Sequence, residues 1–287
     1  MGISRNALPE SLIENAKQLE WLSRKLSQQY LYGKHDSRQI DTGIEFEQYR
    51  PYIQGDDLRQ LDWKLYAKTS KYFIRQSPIT AQNHLHQMID NSASMNYREE
   101  SYSKLELAKI LCAALSYISV NQGDTFSWEA DPKVMQKSSG HKKWQISVIE
   151  LFRISSSEQD MVDELRIYKG KVIWFTDLYL NLDRIKTNLS LNGRKGTEFI
   201  LVNLIGKKEE ELSFEKSTNF KDLETGERID LNTESYRNTY KAKLSSHHRS
   251  IKDLCLTYRV PMIKIYIDNP VEQTLRAIIR QINILKG

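Results

Sequence analysis

The spacing of apolar positions changes character along the chain. Over residues 9–30, Leu12, Ile13, Ala16, Leu19 and Leu22 recur at three- and four-residue intervals behind Pro9, which predicts an amphipathic helix. Gly33 and the polar stretch to Gly43 end that pattern. Extended residues follow around Ile44-Glu45-Phe46, then a turn at Gln54-Gly55-Asp56, a helix from about Asp57 to Lys68, and a strand around Tyr72-Phe73-Ile74. In that helix Asp57 is placed as the cap, and Leu58, Leu61 and Leu65 share one face. Arg59 and Asp62, three apart, can pair on the exposed side.

From about residue 82, short apolar runs alternate with longer helical repeats. The pattern predicts strands over 84–89, 124–130, 133–137, 171–176, 197–204 and 261–267. It predicts helices over 104–121, 142–153, 158–168, 180–190, 233–258 and 270–285. Such alternation calls for an α/β fold, a doubly wound and mostly parallel six-stranded sheet covered on both faces. The order 3-2-1-4-5-6 would set the first and fourth strands side by side, where open α/β sheets bind ligands. The expected organisation is an N-terminal α+β extension over 1–81 and an α/β domain over 82–287, with an insertion at about 207–231.

Composition narrows the class. Apolar residues make up 39% of the 287, and fifteen Tyr with five Trp do not fit a disordered chain. Cys112 and Cys255 are too few and too far apart for a disulfide framework or a zinc motif. The net charge of +5 is spread among interleaved acids and bases, where a nucleic-acid binder would cluster it. The first residues lack the apolar core of a signal peptide, and no run approaches the roughly 20 apolar residues of a membrane span. A cytoplasmic protein without membrane insertion is the expectation. No P-loop, G-x-G-x-x-G or G-x-S-x-G occurs in the sequence.

The candidate chemistry lies at the ends of the first and fourth strands. Asp90-Asn91-Ser92-Ala93-Ser94-Met95 sends one carboxylate and two hydroxyls out of a strand end at alternate positions. Hard oxygen donors of this kind suit Mg²⁺ or Mn²⁺. The same residue types also serve as plain caps of strand-to-helix loops. Phe175-Thr176-Asp177 ends the fourth strand, so two acid-bearing loops are expected to adjoin. His84 and His86 share a sheet face with no Cys or acid partner evident, which favours structural burial.

Asp90-x-Ser92-x-Ser94-Met95 with Phe175-Thr176-Asp177 resembles the metal-ion-dependent adhesion site of von Willebrand A domains. That resemblance implies a cation held by Asp90, Ser92, Ser94 and Asp177, with one coordination position left for a partner's acidic side chain. The family's middle-loop Thr has no clear match; Ser138 or Ser139, just before the helix over 142–153, could supply that hydroxyl. Upstream, Gly43-Ile44-Glu45-Phe46 and Arg50-Pro51-Tyr52-Ile53-Gln54-Gly55-Asp56-Asp57-Leu58-Arg59-Gln60-Leu61-Asp62-Trp63 resemble the hallmark of the bacterial domain of unknown function 58 family. Phe220-Lys221-Asp222-Leu223-Glu224 adds to the likeness. Members of that family join such a segment to a von Willebrand A-like domain and often accompany MoxR-type AAA+ ATPases. The resemblance therefore implies an adaptor or chaperone-like interaction module that is not an enzyme.

Two other functions remain open: a metal-dependent phosphoester hydrolase built on Asp90 and Asp177, and a metal-free scaffold. Asp56, Arg59, Asp62 and Trp63 form either a partner-contacting surface or a turn pinned by caps and ion pairs.

Overall fold

The computed structural model describes residues 17–18, 20–28, 48–54, 56–58, 61–76, 83–130, 133–156, 170–193, 197–214, 217–221 and 228–284. The expectations for residues 9–16, 33–47, Gly55, Arg59, the helix over 158–168 and residues 222–227 lie outside them. The chain divides into two units, one of residues 1–31 with 83–287 and one of residues 32–82.

The larger unit includes helix α1, seen over residues 20–28. The smaller unit holds β1 (Gln48–Pro51), α2 (Trp63–Thr69) and β2 (Phe73–Gln76). The larger unit then continues through β3 (His84–Ile89), α3 (Lys104–Asn121), β4 (Thr125–Ala130), β5 (Lys133–Ser138) and α4 (His141–Phe152). After these come β6 (Gly170–Thr176), α5 (Leu182–Asn192), β7 (Thr197–Ile205) and α6 (Lys207–Glu211). A two-stranded hairpin of β8 (Ser217–Lys221) and β9 (Arg228–Asn232) leads into α7 (Thr233–Thr257), β10 (Met262–Tyr266) and α8 (Val271–Ile284).

The six-stranded sheet has the order β10-β7-β6-β3-β4-β5, which is the doubly wound order expected from the sequence. Every pair is parallel except β4 with β5. Buried runs such as Val172-Ile173-Trp174-Phe175 read as continuous apolar stretches because both faces of the sheet are covered. One face packs on α3, a helix buried on nearly every side, with α4, α8 and Leu26 of α1 around it. Ser27 ties α1 to α3 by donating to the Ala114 carbonyl at 2.9 Å. The other face packs Met88, Trp174 and Leu201 against Ile185 and Leu189 of α5 and Ile251 and Cys255 of α7. Leu111, fully buried in α3, illustrates what this packing is worth: truncation to Ala at such a site costs about 2–5 kcal/mol.

Gly170 opens β6 at φ +93°, and a Cβ there would lie 2.9 Å from the His84 carbonyl oxygen. A side chain at this position would therefore push β6 off β3, the pairing on which the strand-end site depends. No helix among the described residues is long and apolar enough to cross a membrane.

The smaller unit departs from the expected helix. α2 starts at Trp63 rather than near Asp57, and its cap is Asp62, whose Oδ1 accepts the N–H groups of Lys64 and Leu65 at 2.9 Å each. The reason lies in the strand pairing. β1 and β2 are antiparallel, Leu61 bridges to Ile74, and the Asp62 N–H donates to the Phe73 carbonyl, so Leu61 and Asp62 are held against β2. Leu61 and Ile74 are buried, while Leu58, expected on the packed face, is exposed.

Candidate functional site

β3 carries its chain out of the core at Asp90, and the neighbouring β6 does the same at Asp177. The Asp90 N–H donates to the Phe175 carbonyl at 2.9 Å, which continues the β3–β6 ladder one residue past the strand. Asp90 has no exposed surface. Its Oδ1 accepts the Ser92 N–H at 3.0 Å and its Oδ2 accepts the Thr176 hydroxyl at 2.6 Å. The chain then tightens into a 3₁₀ turn over Ala93–Asn96, anchored by the buried Met95, and this turn brings the Ser92 and Ser94 hydroxyls to 3.1 Å of each other.

After β6, Thr176 Oγ1 accepts the Leu178 N–H at 3.0 Å and Asp177 Oδ1 accepts the Tyr179 N–H at 3.2 Å. Leu178 is held at φ +66°, a left-handed conformation that costs a non-glycine residue about 1–2 kcal/mol. Its burial in the second core cluster and the 2.7 Å contact between its carbonyl and His247 Nε2 offset that strain. The four residues expected at the site thus sit on adjoining loops at the carboxyl ends of β3 and β6.

Sequence reasoning missed three contributors. Lys104, the first residue of α3, has a fully buried side chain whose Nζ donates to Asp177 Oδ2 at 2.9 Å and to Glu209 Oε1 at 2.8 Å. Glu209 belongs to α6, the start of the segment expected to be a surface insertion, yet its side chain is only 14% exposed. Glu99 accepts the N–H groups of Lys208 and Glu209 and the Tyr97 hydroxyl, and so caps α6 from the β3 side. Gly206 lets this approach happen, since a Cβ there would collide with the Glu99 carboxylate and the Tyr97 ring.

The middle loop also differs from expectation. Ser138 pairs with Phe126 at the amino end of β4, far along the sheet from Asp90, because β5 runs antiparallel. The hydroxyl-bearing loop that meets the Asp90 turn follows α4. Ser156 Oγ accepts from Asn96 Nδ2, and Asn91 Nδ2 lies 3.5 Å from the Ser155 carbonyl.

The electrostatics follow from burial. Asp90, Asp177 and Glu209 bring three carboxylates and Lys104 one ammonium, an excess of two negative charges before the half-buried Glu99 is counted. Burial, and then the nearby Asp177, push the Asp90 carboxyl up to about 6. Burial also raises Glu209, against the opposing pull of Lys104. Burial alone would push Lys104 down, but Asp177 and Glu209 outweigh it and hold the ammonium protonated. The donor set is all oxygen. No group of three or more His, Cys, Asp or Glu able to hold a metal gathers among the described residues, so a cation here would rest on two carboxylates and hydroxyls. In donor type alone, carboxylate and hydroxyl oxygens match what a hard divalent ion takes.

A second polar cluster runs along β3 and β4. His84 contacts Thr125 Oγ1 through Nδ1 at 2.9 Å and Ser127 Oγ through Nε2 at 2.8 Å. His86 Nδ1 reaches the same Ser127 hydroxyl at 2.7 Å, and its Nε2 stands 3.7 Å from Glu129. In the smaller unit, Asp56 Oδ2 accepts the Ile53 N–H at 2.9 Å and Asp62 is the buried cap of α2. Both acids therefore hold local structure, whereas Trp63 is 61% exposed and meets Tyr66 edge-on.

Comparison with known proteins finds relatives of the chain. Uncharacterized proteins Mb1516 of Mycobacterium bovis and Rv1480 of Mycobacterium tuberculosis are each 29% identical to it over 94 residues, 33% of this chain and 30% of theirs. The chain thus matches about a third of the length of these relatives. Among solved structures, an aerotolerance-related membrane protein from Bacteroides fragilis aligns at 15% identity over 70% of this chain and 98% of its own, with a TM-score of 0.40. BatB from Bacteroides thetaiotaomicron aligns at 15% identity over 71% and 98%, with a TM-score of 0.39. The profile of the family described as Protein of unknown function DUF58 matches residues 48–250, most of the chain and both of its units. The chain belongs to the DUF58 family.

Proposed function

We propose that this chain is a non-catalytic interaction module with a von Willebrand A-like sheet, which engages a partner at the carboxyl ends of β3 and β6. Asp90, Ser92, Ser94 and Asp177 would hold a Mg²⁺ or Mn²⁺ ion there. When bound, the ion supplies a positive centre with an open position for an acidic side chain of the partner. The observation that carries the reading is the cluster of Asp90, Asp177 and the largely covered Glu209, three carboxylates against the single ammonium of Lys104. An uncompensated buried charge of this size favours either protonation or a cation. Family membership is what supports a MoxR-type AAA+ ATPase as the partner. Trp63 is the residue of the upstream segment best placed to join such a contact, with Asp56 and Asp62 shaping its turn and Arg59 beside them in sequence.

Calorimetric titration of Mn²⁺ into the wild type and Asp90→Ala tests the reading. Saturable binding that disappears in Asp90→Ala is expected. No heat of binding in either protein would replace the reading with a metal-free scaffold.

A further inference from the structure

A cation in the first turn of a helix stands against the helix dipole, which favours anions there. Lys104 occupies that position directly after the Ser103 cap, and its side chain is withdrawn from water altogether. A buried ammonium requires carboxylate partners, and Lys104 finds them on two other loops. Asp177 comes from the end of β6 and Glu209 from α6, after β7. The rings of Tyr97 and Tyr179 lie 5.2 and 4.9 Å from Nζ and complete the enclosure. Three strand-end loops therefore meet on one positive charge that belongs to the chain.

We propose that Lys104 is a tethered cation that competes with a divalent ion for Asp177 and so sets the ion affinity of the strand-end site. This rests on the reading that a divalent ion binds there, but it makes a separate claim about what limits binding. Of the two Asp177 oxygens, Oδ2 is held by the ammonium and Oδ1 by the Tyr179 N–H. A divalent ion drawing on Asp177 shares it with a fixed like charge, and burial of both side chains leaves little water to screen the two. Glu209 moderates the competition by holding the ammonium back toward α6.

The test is Mn²⁺ titration by calorimetry, with thermal unfolding in EDTA and in MnCl₂, on the full chain as wild type, Lys104→Met and Glu209→Gln. Lys104→Met is expected to bind Mn²⁺ ~10-fold or more tightly than the wild type and to gain more Tm from the ion. Glu209→Gln keeps the ammonium and removes one anchor, so Mn²⁺ binding should weaken several-fold. An ion response confined to Lys104→Met would uphold the competition while sinking the metal reading for the wild type. Equal responses in Lys104→Met and wild type, whether both bind or neither does, would overturn the competition; binding in both leaves the metal reading standing. Should Lys104→Met fail to fold, Glu209→Gln decides, and unchanged or tighter Mn²⁺ binding there sinks the proposal.

Discussion

The two ends of β3 solve the problem of burying polar groups in opposite ways. Toward its amino end, His84 and His86 face hydroxyls on β4, Ser127 serves both imidazoles, and the Glu129 carboxylate stands 3.7 Å from His86 Nε2. The hydroxyls serve three of the four imidazole nitrogens, and one carboxylate faces the fourth. At its carboxyl end, Asp90 looks across to Asp177, Glu209 and Lys104, where hydrogen bonds are complete but charge is not. Saturated hydrogen bonding therefore does not by itself mark a structural cluster. The charge balance is what separates the two ends of the strand: at the carboxyl end carboxylates outnumber the one ammonium.

Substitutions at the two ends sharpen this contrast. The largest loss of stability is expected from Lys104→Met, which strips the counter-charge from Asp177 and Glu209. Breaking a buried pair costs about 3–5 kcal/mol, readable by urea unfolding in EDTA at neutral pH. Ser127→Ala should cost less, about 1–3 kcal/mol, because it leaves two imidazoles short of a partner without leaving a bare charge. Equal losses from the two variants would erase the distinction between the ends of the strand.

A pH series that compares the wild type with a His84 variant reads the amino end, because the Asp90 carboxyl, pushed up to about 6, titrates in both proteins. Burial first, then Lys137 and His86, lower the His84 pKa from 6.5 to about 4. The unfolded chain thus binds the proton more readily, and the stability contribution of a neutral His84 is intact above 6.5. It is lost as pH falls from 6.5 toward 4. Thermal melts of the wild type against His84→Gln should diverge in slope across that window; parallel curves would contradict the assignment. The smallest effect is expected at Trp63 in the other unit, where Trp63→Ala should change stability by no more than about 0.5 kcal/mol, since most of the ring is exposed. A larger loss by the same unfolding assay would show that the ring packs structurally.

Much of the fold was legible because period and length agree in the larger unit. The apolar run around Val172–Phe175 and the long repeat of α3 admit few other readings, and the strand order follows from chain connectivity. Asp177 was legible for the same reason, one residue past a clear strand, whereas Asp90 follows the weakest of the strands, whose two histidines are unusual in a buried run. Lys104 was not, because in sequence it is an ordinary first-turn residue, and its partners lie 73 and 105 positions away. One signal was available: Ser103 and Glu106 form a capping box, so a lysine between them sits where the helix dipole disfavours it. Glu209 hid in a charge run, Lys207-Lys208-Glu209-Glu210-Glu211, whose members look alike until tertiary structure buries one of them. The start of α2 was misplaced because Leu58, Leu61 and Leu65 fit a helical face, whereas pairing of Leu61 with Ile74 claims that leucine for the sheet.

The adjacency of β3 and β6 also has a consequence for how the chain is made. Thr176 follows Asp90 by 86 residues, so at ordinary translation rates roughly 4–17 s separate the synthesis of the two partners. Through that interval the nascent chain carries β3 with at least one edge unpaired, the Asp90 carboxylate without its hydroxyl donor and Lys104 without either carboxylate anchor. The first half, with α3 and β4, can collapse beforehand, but the strand-end cluster closes only when β6 and β7 have left the ribosome. Its assembly is therefore a late event in folding, and a chaperone acting on this protein during synthesis would meet β3 as an open strand edge.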